Sequence, residues 1–115
     1  MANLLKNITY NGETNYAVAD SDATVYVVPA STTVIVLGFT VSNVANQLVT
    51  VSVKIKDDDA AQTVHYLKNV PLNRGASLEA FSTKLVLNEN DELIVSSSTA
   101  NSFDCTISLV EQTAA

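Results

Sequence analysis

The chain has no tryptophan, one cysteine, one histidine, two prolines and three glycines in 115 residues, with six cations against twelve anions. Each shortage removes a class of protein. A single thiol, Cys105, excludes an internal disulfide framework. Six scattered Lys and Arg at a net charge of −6 lay down no basic stripe. Nucleic-acid backbones and anionic membrane surfaces are therefore both poor partners. No stretch approaches the roughly 20 apolar residues of a membrane helix. The opening MANLLKNITYNG lacks the apolar centre of a signal peptide, so the expectation is a chain made soluble in the cytoplasm. The Asn7-Ile8-Thr9 sequon then has no route to glycosylation.

What the chain does have is β-branched residues, 16 Val and 12 Thr. Both are stiff at χ1 and suit a pleated strand better than a helix. No window keeps a 3.6-residue apolar period between helix-capping signals. The fold class expected is all-β. Strands are predicted over Leu4–Tyr10 (ended by the turn dipeptide Asn11-Gly12), Tyr16–Ala19, Thr24–Val28, Thr33–Ser42 and Gln47–Lys56. Four more follow: Thr63–Val70 (closed by Pro71), Ser77–Leu87 with a bend near Ser82-Thr83, Asp91–Ser97, and the alternating run from Phe103. Such a series of short strands packs as an antiparallel β-sandwich of about eight strands, jelly-roll-like or, alternatively, immunoglobulin-like in topology. One domain spans residues 1–115, with 1–20 as an extended N-terminal arm or edge strands.

Chemistry is sparse. Cys105 and His65 are the sole candidates for a thiol–imidazole pair. Cys105, however, shares a strand face with Phe103 and Ile107, which suits a small buried hydrophobe. His65 falls on a polar face. Asp57-Asp58-Asp59 and the loop Asn88 to Glu92 offer oxygen ligands. Neither has the alternating spacing of a calcium loop, and acidic, Asn-rich tips are ordinary turn chemistry. No metal, cofactor or catalytic residue is expected.

Surfaces say more. In TVYVVPASTTVIVLGFTVSN, residues 24–43, both faces of the strand through Val34–Leu37 are apolar, and a strand apolar on both sides must be covered on both. Reading period two backwards from Phe39 and Val41 assigns Ile35 and Leu37 to the core. That reading leaves Val34 and Val36, with Tyr26 and Val28 beside them, as the candidate subunit interface.

The same run resembles a family of small virion proteins of tailed bacteriophages, many from phages of aquatic bacteria and cyanobacteria. The likeness rests on Thr24, Tyr26, Val28, Pro29 and Ala30, then a strand closing at Val41–Asn43. The Val-alternating strand Leu48–Lys56 follows, and later Leu85-Val86-Leu87 before Asn90-Asp91-Glu92-Leu93. It covers residues 20–110 and implies a compact sandwich built into the virion. The expected role is a capsid decoration (cement) protein on the head surface, or a neck or tail connector; a small carbohydrate- or receptor-binding module is a further alternative. The partners implied are the major capsid protein and further copies of the chain itself, a trimer being favoured, with manufacture in the host cytoplasm. The resemblance carries over no site residues.

Overall fold

A computed structural model describes residues 2–81 and 84–113. Among these residues nine strands and one helical turn follow in order: β1 (Ala2–Asn11), α1 (Gly12–Asn15), β2 (Ala23–Val27), β3 (Thr32–Asn43), β4 (Val49–Asp57), β5 (Gln62–Leu72), β6 (Ser77–Glu79), β7 (Leu85–Leu87), β8 (Glu92–Ser97) and β9 (Phe103–Thr113). They form two antiparallel sheets. Sheet A runs β1-β9-β3-β6, with β7 also on β3, and sheet B runs β2-β8-β4-β5.

The pairing is nested. β1 lies against β9, β2 against β8, β3 against β6 and β7, and β4 against β5. First pairs with last, second with second-last, which is the winding of a jelly roll once β6 and β7 count as one interrupted strand. This decides the topology in favour of the jelly roll over the immunoglobulin arrangement. The bend expected at Ser82-Thr83 lies outside the described residues.

Three local expectations are revised. Tyr16–Ala19 is not a strand; Tyr16 instead turns inward, 3% exposed, and sets its ring edge-on to Phe103 at 4.7 Å. Ser77–Leu87 is two three-residue strands, β6 and β7, and not one. Asn11-Gly12 ends β1 in a turn, as expected, and β1 pairs with β9 and not with β2. Asn11 caps a single helical turn through Thr14 N–H, and Gly12 is required by space: a Cβ there would sit 1.9 Å from the Phe103 carbonyl oxygen. β5 runs through Pro71 to Leu72. An edge strand tolerates the missing amide donor.

The core lies between the sheets. Val34, Val36, Phe39, Ile107 and Leu109 of sheet A meet Val49, Val51, Val53, Leu93 and Val95 of sheet B, all at 1% exposure or less. Aromatic contacts close one open side: Phe81 sits edge-on to Phe39 and to Tyr66, with centroids 5.4 and 4.5 Å away. A polar clamp closes the other. Tyr26 Oη donates to Glu111 Oε2 at 2.6 Å, and Lys6 Nζ meets Glu111 Oε1 at 3.1 Å. Every buried side-chain polar atom among the described residues has a partner.

Candidate interaction surface

Strand parity decides which side chains a sheet offers to the outside. In β3 that parity changes midway. Val36 pairs with Leu109 and Gly38 with Ser108, so Leu37 is an extra residue, a β-bulge. Two residues of β3 then oppose one of β9, and the faces exchange. Beyond the bulge Phe39 and Val41 point inward, as expected. Before it the inward residues are Val34 and Val36, while Ile35 is half-buried on the outer side and Leu37 is 46% exposed.

The four residues expected at an interface are thus core residues of the subunit. Val28, Val34 and Val36 have no exposed surface and Tyr26 has 8%. The physical reason is the bulge: period two cannot be carried across an inserted residue. Tyr26 also owes its burial to chemistry. Burial and its hydrogen bond to Glu111 push the phenol well above its ordinary range. Val28 is held by backbone bonds at both of its polar groups, its N–H to Asp91 O at 2.9 Å and its carbonyl to Asn90 N–H at 3.0 Å.

The apolar excess of this segment is nevertheless real, and it faces outward through the other residues. Register places Val86 of β7 opposite Ile35, Ile35 opposite Val110 of β9, and Val110 opposite Leu5 of β1. Opposed residues share a face, so Val86, Ile35, Val110 and Leu5 form one apolar row across the outer side of sheet A. Leu5 is 75% exposed and Val86 60%, and Leu37 adjoins the row.

The neighbouring outward positions are Thr33, Gln112 and Asn3 on one side, then Gly38, Ser108 and Asn7 on the other. None carries a charge. Charged groups enter at the margins: Glu79, which accepts from Thr40 Oγ1 at 2.7 Å, and Asp104 toward one end, exposed Lys84 just before β7, and Glu89, which accepts from Ser31 N–H, at the other end. Depletion of charge around an aliphatic centre is the compositional mark of an interface.

The other candidates separate. Cys105 in sheet A is 2% exposed, and its thiol is pushed up to about 12 by burial and then by the Asp104 charge, which removes the thiolate at neutral pH. His65 lies on β5 of sheet B, opposite Lys54. The two acidic loops do come together. Asp91, 5% exposed, accepts from Asp58 N–H at 3.0 Å and Asn88 N–H at 2.9 Å. Its carboxylate is therefore occupied in tying turns, and among the described residues no group of three ligating side chains is placed to hold a metal. Nor is any helix among them long and apolar enough to cross a membrane.

Asn43, the strand-ending residue of the family-like motif, has a structural task. Its Nδ2 donates to carbonyls of Gln47, Leu72 and Asn73 within 3.1 Å, and its Oδ1 accepts from Ala45 N–H at 2.8 Å. It fastens two loops to the end of the core.

No protein-family model matches the chain, and no curated protein sequence matches it. Among solved structures the chain is similar to one from the acidic stable capsid structure of Helicobacter pylori bacteriophage KHP30. The match has a TM-score of 0.57 at 13% identity and covers 99% of this chain and 90% of that one. At that identity the likeness is one of fold.

Proposed function

We propose that the chain is a structural protein of a tailed-phage virion: a decoration protein on the head surface that binds across neighbouring copies of the major capsid protein. The observation that carries this reading is the charge-free apolar row on the outer side of sheet A, exposed in a protein whose net charge is −6. Such a chain stays soluble through its acidic remainder and offers one face where desolvation is cheap. The likeness in fold to a phage capsid chain supports the same reading.

Cement function needs a rigid body and a contact face. A catalytic centre or a ligand pocket has no part in it. Covering Leu5 and Val86 removes apolar area at about 25 cal/mol per Å². Repetition over the copies of a symmetric shell then turns modest single contacts into high avidity.

The test is binding of the purified protein to emptied capsids, with its position and copy number read by electron microscopy. Copies in proportion to the shell subunits, seated on the head with sheet A inward, are expected. A single ring's worth at the neck or tail replaces the head assignment with a connector. Absence from the particle ends the reading. The Leu5→Lys, Val86→Lys double variant is expected to weaken shell binding by on the order of thirtyfold, the effect of losing about 2 kcal/mol at an interface centre.

A further inference from the structure

A sheet ends in edges whose amides and carbonyls can pair with another strand, and proteins blunt them with short strands, bulges, prolines and charges. The four edges of this sandwich are unequally blunted. β2 has five residues and a register shift at Val25. β6 and β7 have three residues each. β5 is long, but it carries two register shifts, Asn69 at φ 51° and Pro71.

β1 has only one of these devices, a single charge. Its ten residues pair with β9 in unbroken register, and it contains no Pro and no Gly. Most of its side chains are exposed, and no strand lies on its outer edge among the described residues. Its one charged group, Lys6, is already paired with Glu111.

We propose that β1 is a strand-pairing edge, and that it takes β1 of a second copy antiparallel across a two-fold axis to join two sheets A into one. Three observations select a second copy. An open, regular strand edge recognises another extended strand through its backbone. Two chains of net charge −6 repel each other over most of their surface, but β1 brings no carboxylate to the contact. An antiparallel pair about a two-fold axis is also self-complementary, so one edge suffices and the assembly closes as a dimer. The trimer expected from the sequence needs contact between two different surfaces, and the other edges are blunted.

Charge disfavours one register, and continuity of the apolar row selects another. A two-fold axis perpendicular to the joined sheet places one residue opposite itself. Centring on Lys6 sets ammonium against ammonium. Centring on Leu5 sets Leu5 opposite Leu5, Leu4 opposite Lys6 and Asn3 opposite Asn7. The apolar row of each copy then continues into the next, so Val86-Ile35-Val110-Leu5 meets its mirror order without a break.

The inference concerns the free protein and does not need the virion reading; shell binding can fail while this pairing stands, and the reverse. It is tested on the isolated chain by light scattering over a micromolar to millimolar series, by amide exchange, and by mild oxidation of cysteine variants. A dimer is expected, with the β1 amides across Ala2–Ile8, the overlap of the Leu5-centred register, all slowed. In a monomer only the alternate amides bonded to β9 are slowed. Leu5→Cys is expected to cross-link rapidly and Asn7→Cys at least tenfold more slowly, while the Asn3→Cys, Asn7→Cys pair restores fast cross-linking. Cys105, buried, takes no part. A monomer throughout the series overturns the proposal. So does a dimer whose Ala2–Ile8 amides exchange alternately, or equal cross-linking by Leu5→Cys and Asn7→Cys.

Discussion

The outer faces of the two sheets belong to one small molecule and have opposite chemistry. Sheet B presents ion pairs: Lys54 Nζ to Asp22 Oδ1 at 2.7 Å, and Lys56 Nζ to Glu92 Oε2 at 3.4 Å, with Thr24 Oγ1 also donating to Glu92. Its aliphatics are Ile94, already covered within the chain at 6% exposure, and Val27, half-exposed but directly opposite the Glu92 carboxylate. Sheet A presents Leu5, Ile35, Val86 and Val110 in a row with uncharged neighbours. A solvated face and a contact face can thus be told apart by where the charges are missing, although both are built from alternating β-strands. The chain's acidity is not spread evenly; it is withheld from the centre of one face.

The largest expected effect comes from charging the inner side of sheet A. Val36→Asp puts an unpaired carboxylate at a site with no exposed surface, between Leu85 and Leu109. A loss of more than about 4 kcal/mol, seen as failure to fold or a collapsed denaturant midpoint, is expected.

Next comes the joint between the faces. Burial disfavours the charge on Glu111, but hydrogen bonds from Tyr26 and Lys6 and the Lys6 charge outweigh it and hold the carboxyl below its ordinary value of 4.5. A carboxyl lowered on folding stabilises the protein fully above 4.5, and that contribution is lost as pH falls through the lower folded value. Glu111→Gln is expected to cost about 2 kcal/mol at neutral pH, as for a lost hydrogen bond to a charged group. It should also flatten the acid limb of stability against pH in denaturant titrations. An unchanged acid limb would show that Glu111 does not couple β1 to the sandwich.

Asn43→Ala, which leaves four backbone partners unmet at the far end, is expected to cost on the order of 1–3 kcal/mol by the same measurement. The smallest effect belongs to sheet B. Asp22→Asn removes a half-exposed partner from Lys54 and should change stability by less than about 1 kcal/mol, with the difference vanishing in high salt. Shell binding should be unaffected. If Asp22→Asn weakens it as much as the Leu5→Lys, Val86→Lys pair does, the two faces have been assigned the wrong roles.

Much of the fold was legible because local pattern reports local structure. Val49, Val51 and Val53 alternate cleanly, as do Phe103, Cys105, Ile107 and Leu109, and both strands lie where period two puts them. The excess of apolar residues around Val34–Leu37 was legible too. Which of them face out was not, since a bulge at Leu37 leaves no signature in a run where every residue is apolar. The contributions of Leu5, Val86 and Val110 were hidden for another reason. They become neighbours only through the pairing of β1, β9, β3 and β7, and alternation along one strand does not name its partner. A Tyr and a Glu 85 positions apart give no hint that they share a proton.

The nested pairing has a consequence for the order of events during synthesis. β4 and β5 are joined by a short turn and can close at once, whereas β1 has to wait for β9, which is made far later. Contacts between distant parts of a chain close slowly, because the intervening segment must first lose its freedom. Until β9 has emerged, β1 has neither its inner neighbour nor a finished sheet to extend. Only a sheet A that contains β9 presents β1 as an ordered edge, so the separation of the two strands along the chain acts as a timer between folding and assembly.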